Sequence, residues 1–413
     1  MSKGDYKVYG YRWVVLLAFM FINITIQMLW ICFAAISSSA EQFYGVSDLE
    51  IGLLAMIFMV VYVFVGVPAS WIIDTFGFKR GVGFGAVLMA IFGLLRGFFS
   101  YDYNHVLIFT IGLAVAQPFL LNSFSKVAAL WFSLEERATA IGLVTLASFS
   151  GTAIGLALTP SLLGSMDIPA IQILYGGIAA FSTLVFLVLA KDKPLTPPCP
   201  PEYEERALMF DGLKQILKQK EFYLVLVVFF IGFGVFNGVL TWIEGILLPR
   251  GFDSNQAGMA GMVILLGAIA GAVVISTLSD KFLKRKPFLL LGMICAIPGL
   301  IGITFVNSYG LLLVSAGVMG FFLMGMGPVA YQYSAEITYP APEGTSNGLI
   351  VISGQISVVL IFIMEAMKSP EGYFTPSLLL LTGLMCLNVI LIALLKESKM
   401  LSKGAPASPA VKE

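Results

Sequence analysis

Charged residues are scarce in this chain: 12% are Asp, Glu, Lys or Arg, whereas about a quarter of a soluble domain is charged. It has one histidine, His105, and four scattered cysteines, so no Cys/His cluster has the spacing of a zinc site. Its 24 basic and 24 acidic residues cancel, so bulk charge implies no nucleic-acid partner. Instead, 58% of the 413 residues are hydrophobic and the mean hydropathy is +0.93. This composition excludes a soluble globular domain and indicates a protein that crosses the lipid bilayer repeatedly.

Twelve apolar runs are long enough to span a bilayer, which takes about 20 helical residues. They lie at about 13–37, 49–73, 81–100, 105–130, 138–163, 169–190, 222–247, 257–279, 287–306, 309–335, 344–368 and 373–396. We predict an all-α integral membrane fold of twelve transmembrane helices in two six-helix bundles. The predicted domains are an N-terminal bundle over 1–190, a cytoplasmic linker with an amphipathic helix over 191–220, and a C-terminal bundle over 221–413.

The basic residues predict the orientation. With both termini cytoplasmic, 21 of the 24 Lys and Arg residues fall on the inner side, and Arg96, Arg250 and Lys368 fall on the outer side. Cytoplasmic loops retain Lys and Arg, so this asymmetry favours cytoplasmic termini in a plasma or inner membrane.

The two halves of the chain carry an internal repeat. Five residue pairs are each separated by 206 positions: Asp74/Asp280, Gly45/Gly251, Gly52/Gly258, Gly142/Gly348 and Gly177/Gly383. One constant offset across loops and helices indicates a parallel six-plus-six repeat, which is the arrangement of the major facilitator superfamily.

The loop after the second span resembles the signature loop of that superfamily. Its pattern is a glycine, then Asp-Arg-x-Gly-Arg-Arg/Lys; here Thr75 replaces the first arginine, while Asp74, Lys79 and Arg80 match. The second copy keeps Asp280 and Arg285 but lacks the middle glycine. An aspartate near cations at a helix end can latch two helices in one state of a transport cycle. We expect these charges to gate, although the cations alone would also set the topology.

Polar side chains at mid-membrane depth are costly unless they are paired or functional. Four amides lie near span centres: Gln27, Gln117, Asn237 and Gln355. They fit a site for a small polar ligand, or hydrogen bonds between helices. Trp30 and Phe236, related by the repeat offset, are candidates to clasp a cation, although core or lipid-facing packing is the commoner use of aromatic residues.

Three ionisable residues lie in or near apolar runs. Arg96 is close enough to the outer boundary to snorkel, so we expect a structural role. Glu244 and Glu365 lie toward the outer ends of spans seven and eleven. Either is a candidate for protonation coupled to transport, or a carboxylate that simply reaches water.

Several strings are more specific than the superfamily pattern. They are Trp30-Ile31, Phe43-Tyr44-Gly45-Val46, Ala116-Gln117, Trp131-Phe132, and the stretch 335–349, which reads Ala-Glu-Ile-Thr-Tyr-Pro-x-x-Glu-Gly-Thr-Ser-x-Gly-Leu. They resemble the feline leukaemia virus subgroup C receptor-related transporters, a family associated with haem, choline and ethanolamine.

The resemblance implies roles for particular residues. Trp30, Gln117 and Gln355 fall on the family residues that enclose a choline-like headgroup, while Asn237 and Glu244 replace a tyrosine and an asparagine. We expect Glu336 and Glu343 of the long string to join the gating charges.

The function implied is secondary transport of a small organic cation by alternating access. No P-loop motif is present, so ATP-driven pumping is disfavoured, and no nucleophile–base–orienter set indicates an enzyme. We expect a monomer that needs no cofactor or metal. Haem transport and ion-coupled transport of another organic solute or drug are the alternatives; a membrane receptor that does not transport is a remote one.

Overall fold

The computed structural model describes residues 7–133, 136–198, 216, 219–282, 284–338 and 343–397, with the side chains of 138 and 343–345 left out. Within these ranges, twelve helical segments are long and apolar enough to cross a membrane, as predicted. Most of the linker at 191–220, including its predicted amphipathic helix, lies outside the described residues.

The described residues of the first half of the chain form eight helices. They are α1 (Arg12–Ile31), α2 (Ser37–Tyr44), α3 (Asp48–Phe76), α4 (Phe78–Phe98), α5 (Tyr103–Leu121), α6 (Phe124–Trp131), α7 (Arg137–Leu163) and α8 (Ile168–Leu189). The start of α3 shows how local sequence sets a boundary. The Ser47 hydroxyl accepts from the Glu50 backbone N–H, while the Glu50 carboxylate accepts from the Ser47 backbone N–H. This capping box satisfies backbone donors that a helix start leaves unpaired.

The second half forms nine described helices. They are α9 (Lys220–Thr241), α10 (Ile243–Leu247), α11 (Ser254–Phe282), α12 (Lys286–Phe305), α13 (Tyr309–Leu323), α14 (Gly327–Thr338), α15 (Glu343–Ile356), α16 (Val358–Ala366) and α17 (Thr375–Leu394). A short 3₁₀ turn, Leu248–Arg250, follows α10.

The described chain divides into two compact units. Unit 1 comprises the described residues of Met1–Glu205 together with Val239–Met262, and unit 2 those of Arg206–Gly238 and Val263–Glu413. Residues 239–262 therefore pack with the first half of the sequence. Two helices, α9 and α11, belong partly to each unit.

Each unit has its own helix packing. In unit 1, α4 packs against α8 and α5, and α1 packs against α7 and α8; in unit 2, α12 packs against α13 and α17. The buried faces are lined mainly with Leu, Ile, Val, Phe, Ala and Met, so van der Waals packing dominates each interior.

Several spans are interrupted, although their apolar runs are continuous. The fourth span breaks between α5 and α6, the tenth between α13 and α14, and the eleventh between α15 and α16. The first and seventh continue beyond short breaks into α2 and α10. Broken helices free backbone groups that must find partners inside the protein, so the breaks are positions where side-chain chemistry matters.

The repeat seen in the sequence has matching conformations. Gly45 and Gly251 both have positive φ, +67° and +85°, a region that favours glycine. Gly52 lies against the ring of Trp242, and Gly258 lies against the backbone of Leu156. Glycines at these repeat-related positions are therefore explained by a turn in one pair and by close approach in the other.

Candidate functional site

The first group of candidate substrate residues lies in unit 1 and contains two amides. Gln117 on α5 is buried, and its Nε2 donates to Oε1 of Gln27 on α1 over 2.9 Å. The bond joins two helices, so it satisfies one donor and one acceptor at mid-membrane depth. Each amide keeps further hydrogen-bonding capacity.

Trp30 lies one turn from Gln27 on α1 and is almost buried. Its indole N–H donates to the backbone carbonyl of Ala55 on α3, over 3.1 Å. The polar edge of the ring is therefore occupied, and this bond holds the ring against α3. A fixed aromatic ring is the kind of group that can receive a cation without further ordering.

The second group lies in unit 2. Phe236 and Asn237 are buried near the end of α9, and Gln355 is half-buried near the end of α15. Among the described residues, no hydrogen bond fixes the amide of Asn237 or Gln355. Free amides at this depth are available to a polar ligand.

Sequence reasoning missed an aromatic cluster in unit 2. The rings of Phe229 and Phe233 on α9 are stacked at 5.7 Å, and Tyr331 on α14 lies 5.2 Å from Phe229. The long string begins only at Ala335, so it gave no signal for Tyr331. The three residues add aromatic surface to the unit that holds Asn237 and Gln355.

The predicted gating charges of unit 1 have specific partners. Asp74, at the end of α3, accepts from Nζ of Lys126 on α6 over 2.6 Å. The backbone N–H of Lys79 donates to Asp192 over 2.8 Å, while Arg80 is exposed. Asp74 thus pairs with a lysine that the loop motif does not contain.

In unit 2, three of the predicted gating residues come together. Nη1 of Arg285 lies 2.5 Å from Asp280, and its Nε lies 3.1 Å from Glu336. Burial opposes the charge of the guanidinium, but the bonds to Asp280 and Glu336 outweigh it and raise the pKa of Arg285. The side chain of Glu343 lies outside the described residues.

Glu244, a candidate for coupling, is fully buried in unit 1, with 0% of its surface exposed. Oε2 accepts from Ser37 Oγ and from the Ser38 backbone N–H, both over 2.9 Å. Oε1 accepts from Ser38 Oγ over 2.9 Å and from Ser254 Oγ. The carboxylate therefore does not reach water, and four donors surround it. Ser38 and Glu244 are 206 residues apart, so comparison at the repeat offset could have found the pair.

Glu365, the other candidate, has a different setting. It lies on α16, 3.7 Å from Nζ of Lys368 at the (i, i+3) position. Lys368 lies two residues beyond the end of α16, so this ion pair is made across the end of the helix and not along one helix face.

Arg96 does not snorkel, so that part of the expectation is wrong, while its contacts agree with the structural role that we expected. The side chain on α4 is 1% exposed and donates to the carbonyl of Leu29 over 3.2 Å. Its guanidinium also lies 3.6 Å from the Cys32 sulfur and over the ring of Phe33. Helix packing brings Arg96 to the end of α1, which its position in the sequence could not show.

In the described part of the chain, no three His, Cys, Asp or Glu residues are grouped so as to hold a metal ion. The candidate residues are aromatic rings, amides and carboxylates. This chemistry suits recognition of a polar or cationic solute, not a nucleophilic reaction.

Comparison with known proteins supports the fold and the transport class. The cat (Felis catus) choline/ethanolamine transporter FLVCR1 is 29% identical over 94% of this chain and 73% of its own length. The human choline/ethanolamine transporter FLVCR2 is 26% identical over 94% and 78%. A solved bacterial homologue of the human lysosomal transporter Spinster, inward-facing and unoccupied, superposes with a TM-score of 0.71 at 16% identity, over 94% of this chain and 96% of that one. The model of the Major Facilitator Superfamily matches residues 14–361 and 245–411. The chain is an integral membrane transporter, not an enzyme, and it belongs to the Major Facilitator Superfamily.

Proposed function

We propose that the protein transports a small organic cation of the choline or ethanolamine type by alternating access. We further propose that it is a monomer in the plasma or inner membrane, with both termini in the cytoplasm. Two relatives that align with nearly the whole chain are named as transporters of these substrates. Alternating access is the common mechanism of this fold.

The observation that carries the proposal is the fixed ring of Trp30. Its N–H is already bound to Ala55, so the ring cannot serve a ligand as a hydrogen-bond donor and offers only its aromatic surface. Tryptophan binds quaternary and primary ammonium groups best among the aromatic side chains. The neighbouring Gln27–Gln117 pair supplies polar groups for the hydroxyl or amine at the other end of such a cation.

The amides of unit 2 extend the proposal. We assign Asn237 and Gln355 to substrate contacts because they lack hydrogen-bond partners among the described residues. Phe236 joins them as the repeat equivalent of Trp30. The charges at Asp74, Lys79, Arg80, Asp280, Arg285, Glu336 and Glu343 remain proposed gating residues.

A ligand screen on the purified protein tests the substrate class. A specific ligand raises the melting temperature as its concentration rises, because it binds only the folded state. Choline and ethanolamine should do so, whereas haem and organic anions should not. Stabilisation by haem alone would replace the proposal with haem transport, and binding of choline without flux into liposomes would indicate a receptor.

Substitution of Trp30 tests the assigned contact. A cation–π contact contributes about 0.5–2 kcal/mol, so Trp30→Ala should weaken choline binding by roughly two- to thirtyfold and Trp30→Phe by less. The matched control is Trp71→Ala, which removes an exposed tryptophan of α3. Choline affinity in folded Trp30→Ala equal to that of Trp71→Ala would rule out the contact.

A further inference from the structure

Arg96 on α4 is a buried charge without an acidic partner. Its side chain is 1% exposed, and no carboxylate in the described part of the chain forms an ion pair with it. A charge taken out of water is costly unless other groups replace its hydration. Arginine does not lose its proton inside proteins, so it cannot avoid this cost by becoming neutral. The groups that contact the guanidinium therefore show which part of the fold it stabilises.

The contacts of the guanidinium converge on the end of α1. Nη1 donates to the backbone carbonyl of Leu29 over 3.2 Å, Nη2 lies 3.6 Å from the sulfur of Cys32, and Cζ lies 5.6 Å from the ring centre of Phe33. These three residues flank Trp30 on both sides, and α1 ends one residue after that tryptophan. The negative end of a helix dipole and the face of an aromatic ring both favour a positive charge. Arg96 therefore holds the last turn of α1 from the side of α4.

The ring of Trp30 depends on this turn for its orientation. Its indole N–H donates to the carbonyl of Ala55 on α3, which fixes one edge of the ring, while the plane of the ring also follows the backbone that carries it. That backbone lies where α1 breaks, and carbonyls at a helix end lack the partners that a continuing helix would supply. Arg96 supplies one of those partners. The amide of Gln172 on α8 lies 3.7 Å from the sulfur of Cys32 and holds the same turn from a third helix.

We propose that Arg96 is a positioning residue of the substrate site, which fixes the last turn of α1 so that the ring of Trp30 is oriented before the cation arrives. The proposal rests on the proposed function, because it concerns the same aromatic contact. Arg96 acts through Trp30 and not on the solute itself, since its side chain is buried. A ring that is ordered in advance binds more tightly, because binding no longer has to immobilise it.

The charge of Arg96 also acts on a bound cation, but in the opposite direction. Two like charges repel each other more strongly in a medium of low dielectric than in water. Removal of the charge would therefore strengthen the binding of choline, whereas loss of positioning would weaken it. The sign of the change in affinity separates the two effects, and the proposal requires weaker binding.

A double-mutant cycle tests whether Arg96 acts through Trp30. Isothermal titration of the full-length protein in lipid nanodiscs with choline should show weaker binding in Arg96→Met, by a factor no larger than that of Trp30→Ala, which is roughly two- to thirtyfold. In the Trp30→Ala background, Arg96→Met should change the affinity by less than about twofold, because the ring to be positioned is gone. Tighter binding in Arg96→Met, or an equal factor in both backgrounds, would overturn the proposal.

Thr183→Val is the matched control for a general loss of packing. Thr183 on α8 is buried and donates to the carbonyl of Ala86 on α4 over 2.8 Å, so the substitution also removes a buried hydrogen bond to a helix carbonyl. It does not involve the end of α1. Choline affinity in Thr183→Val should equal that of the wild type, and a loss as large as that in Arg96→Met would mean that Arg96 only stabilises the fold.

Fluorine NMR follows the ring of Trp30 without any ligand. The chain has five tryptophans, so labelling with 5-fluorotryptophan gives five signals, and Trp30→Phe identifies the one that belongs to residue 30. This signal should shift or broaden in Arg96→Met and stay in place in Thr183→Val. Arg96→Lys keeps the charge, but an ammonium group lacks the planar fork that reaches two acceptors at once, so the signal should shift there too.

The NMR comparison also separates this proposal from the proposed function. If the wild type does not bind choline, the proposed function fails, while the Trp30 signal still reports whether Arg96 orients the ring. Arg96→Lys provides the comparison even if Arg96→Met does not fold. A Trp30 signal that is unchanged in every folded variant of Arg96 would overturn the proposal.

Discussion

Helix α11 approaches α7 closely at Gly258, so a larger residue at this position should weaken the packing of the two helices. A Cβ atom added at Gly258 would lie 2.2 Å from the backbone oxygen of Leu156. That oxygen belongs to a helix, so no side-chain rotation relieves the contact. In Gly258→Ala the segment 239–262 must therefore shift by on the order of 1 Å or separate from α7. Overpacking of this kind costs about 1–3 kcal/mol.

The cost falls only on the form in which the segment 239–262 is packed on α7, which we call the docked form. The substitution therefore lowers the equilibrium constant for docking of the segment. A difference of about 1–3 kcal/mol lowers the docking constant by roughly 5- to 150-fold. Spin labels at Ile173 on α8 and at Leu248 in the segment 239–262, both exposed, measure this change through the distance between them.

Two further glycines give a graded control. Gly261→Ala meets the Leu156 side chain at 2.7 Å instead of the backbone, so rotation of that side chain should make the loss smaller. Gly177→Ala meets nothing within 4 Å; it should leave docking unchanged and stabilise α8 by up to about 1 kcal/mol through helix propensity. If Gly258→Ala docks as well as Gly177→Ala, the close approach to α7 does not hold the segment.

Two other predictions concern the buried ion pair of unit 2 and the amides of the two units. The side chains of Arg285 and Glu336 are each 7% exposed, whereas that of Asp280 is 68% exposed. Glu336→Leu should therefore lower the free energy of unfolding by about 3–5 kcal/mol, and Asp280→Asn should lower it by about 1 kcal/mol or less. Thermal unfolding measures both losses, and equal losses would contradict the argument from burial. Gln117→Ala and Gln355→Ala should each weaken choline binding by roughly three- to tenfold, as expected for one neutral hydrogen bond. Titration of the wild type and both variants with choline and with tetramethylammonium, which lacks a hydroxyl, separates ligand contact from helix packing. If the ratio of the two affinities is the same in all three proteins, neither amide contacts the hydroxyl of choline.

The number and approximate positions of the spans could be predicted because each is decided by local hydropathy and length. The breaks could not. The first run was expected to continue from 13 to 37, yet α1 ends at Ile31 and α2 begins at Ser37. The residues at the break are as apolar as those of the helix, so hydropathy does not mark it.

The sequence likewise does not predict which residues the charged side chains pair with. Lys126, which binds Asp74, follows it by 52 positions and belongs to no motif. The cluster of Asp280, Arg285 and Glu336 was foreseen as a set of gating residues, but the contacts among them depend on how α14 packs in unit 2. Local patterns identify ionisable residues, whereas tertiary packing decides which charges meet.

The break in the first span shows how such pairing supports a transport fold. Where α1 ends and α2 begins, backbone carbonyls and N–H groups lose their helical partners and need others. Arg96 donates to Leu29 in the last turn of α1, and Glu244 accepts from Ser38 in the first turn of α2. Each charge has the sign that its helix end favours, which contributes up to about 2 kcal/mol in a partly buried setting.

The two charges differ in where they come from in the chain. Arg96 lies on α4, which packs against α5 and α8 within unit 1. Glu244 lies on the segment 239–262, which belongs to the second half of the sequence but packs in unit 1. The end of α1 is therefore stabilised by a charge from its own half of the sequence, whereas the start of α2 is stabilised by a charge from the other half. The charge at the start of α2 depends on the packing of 239–262, because no described residue of the first half supplies it.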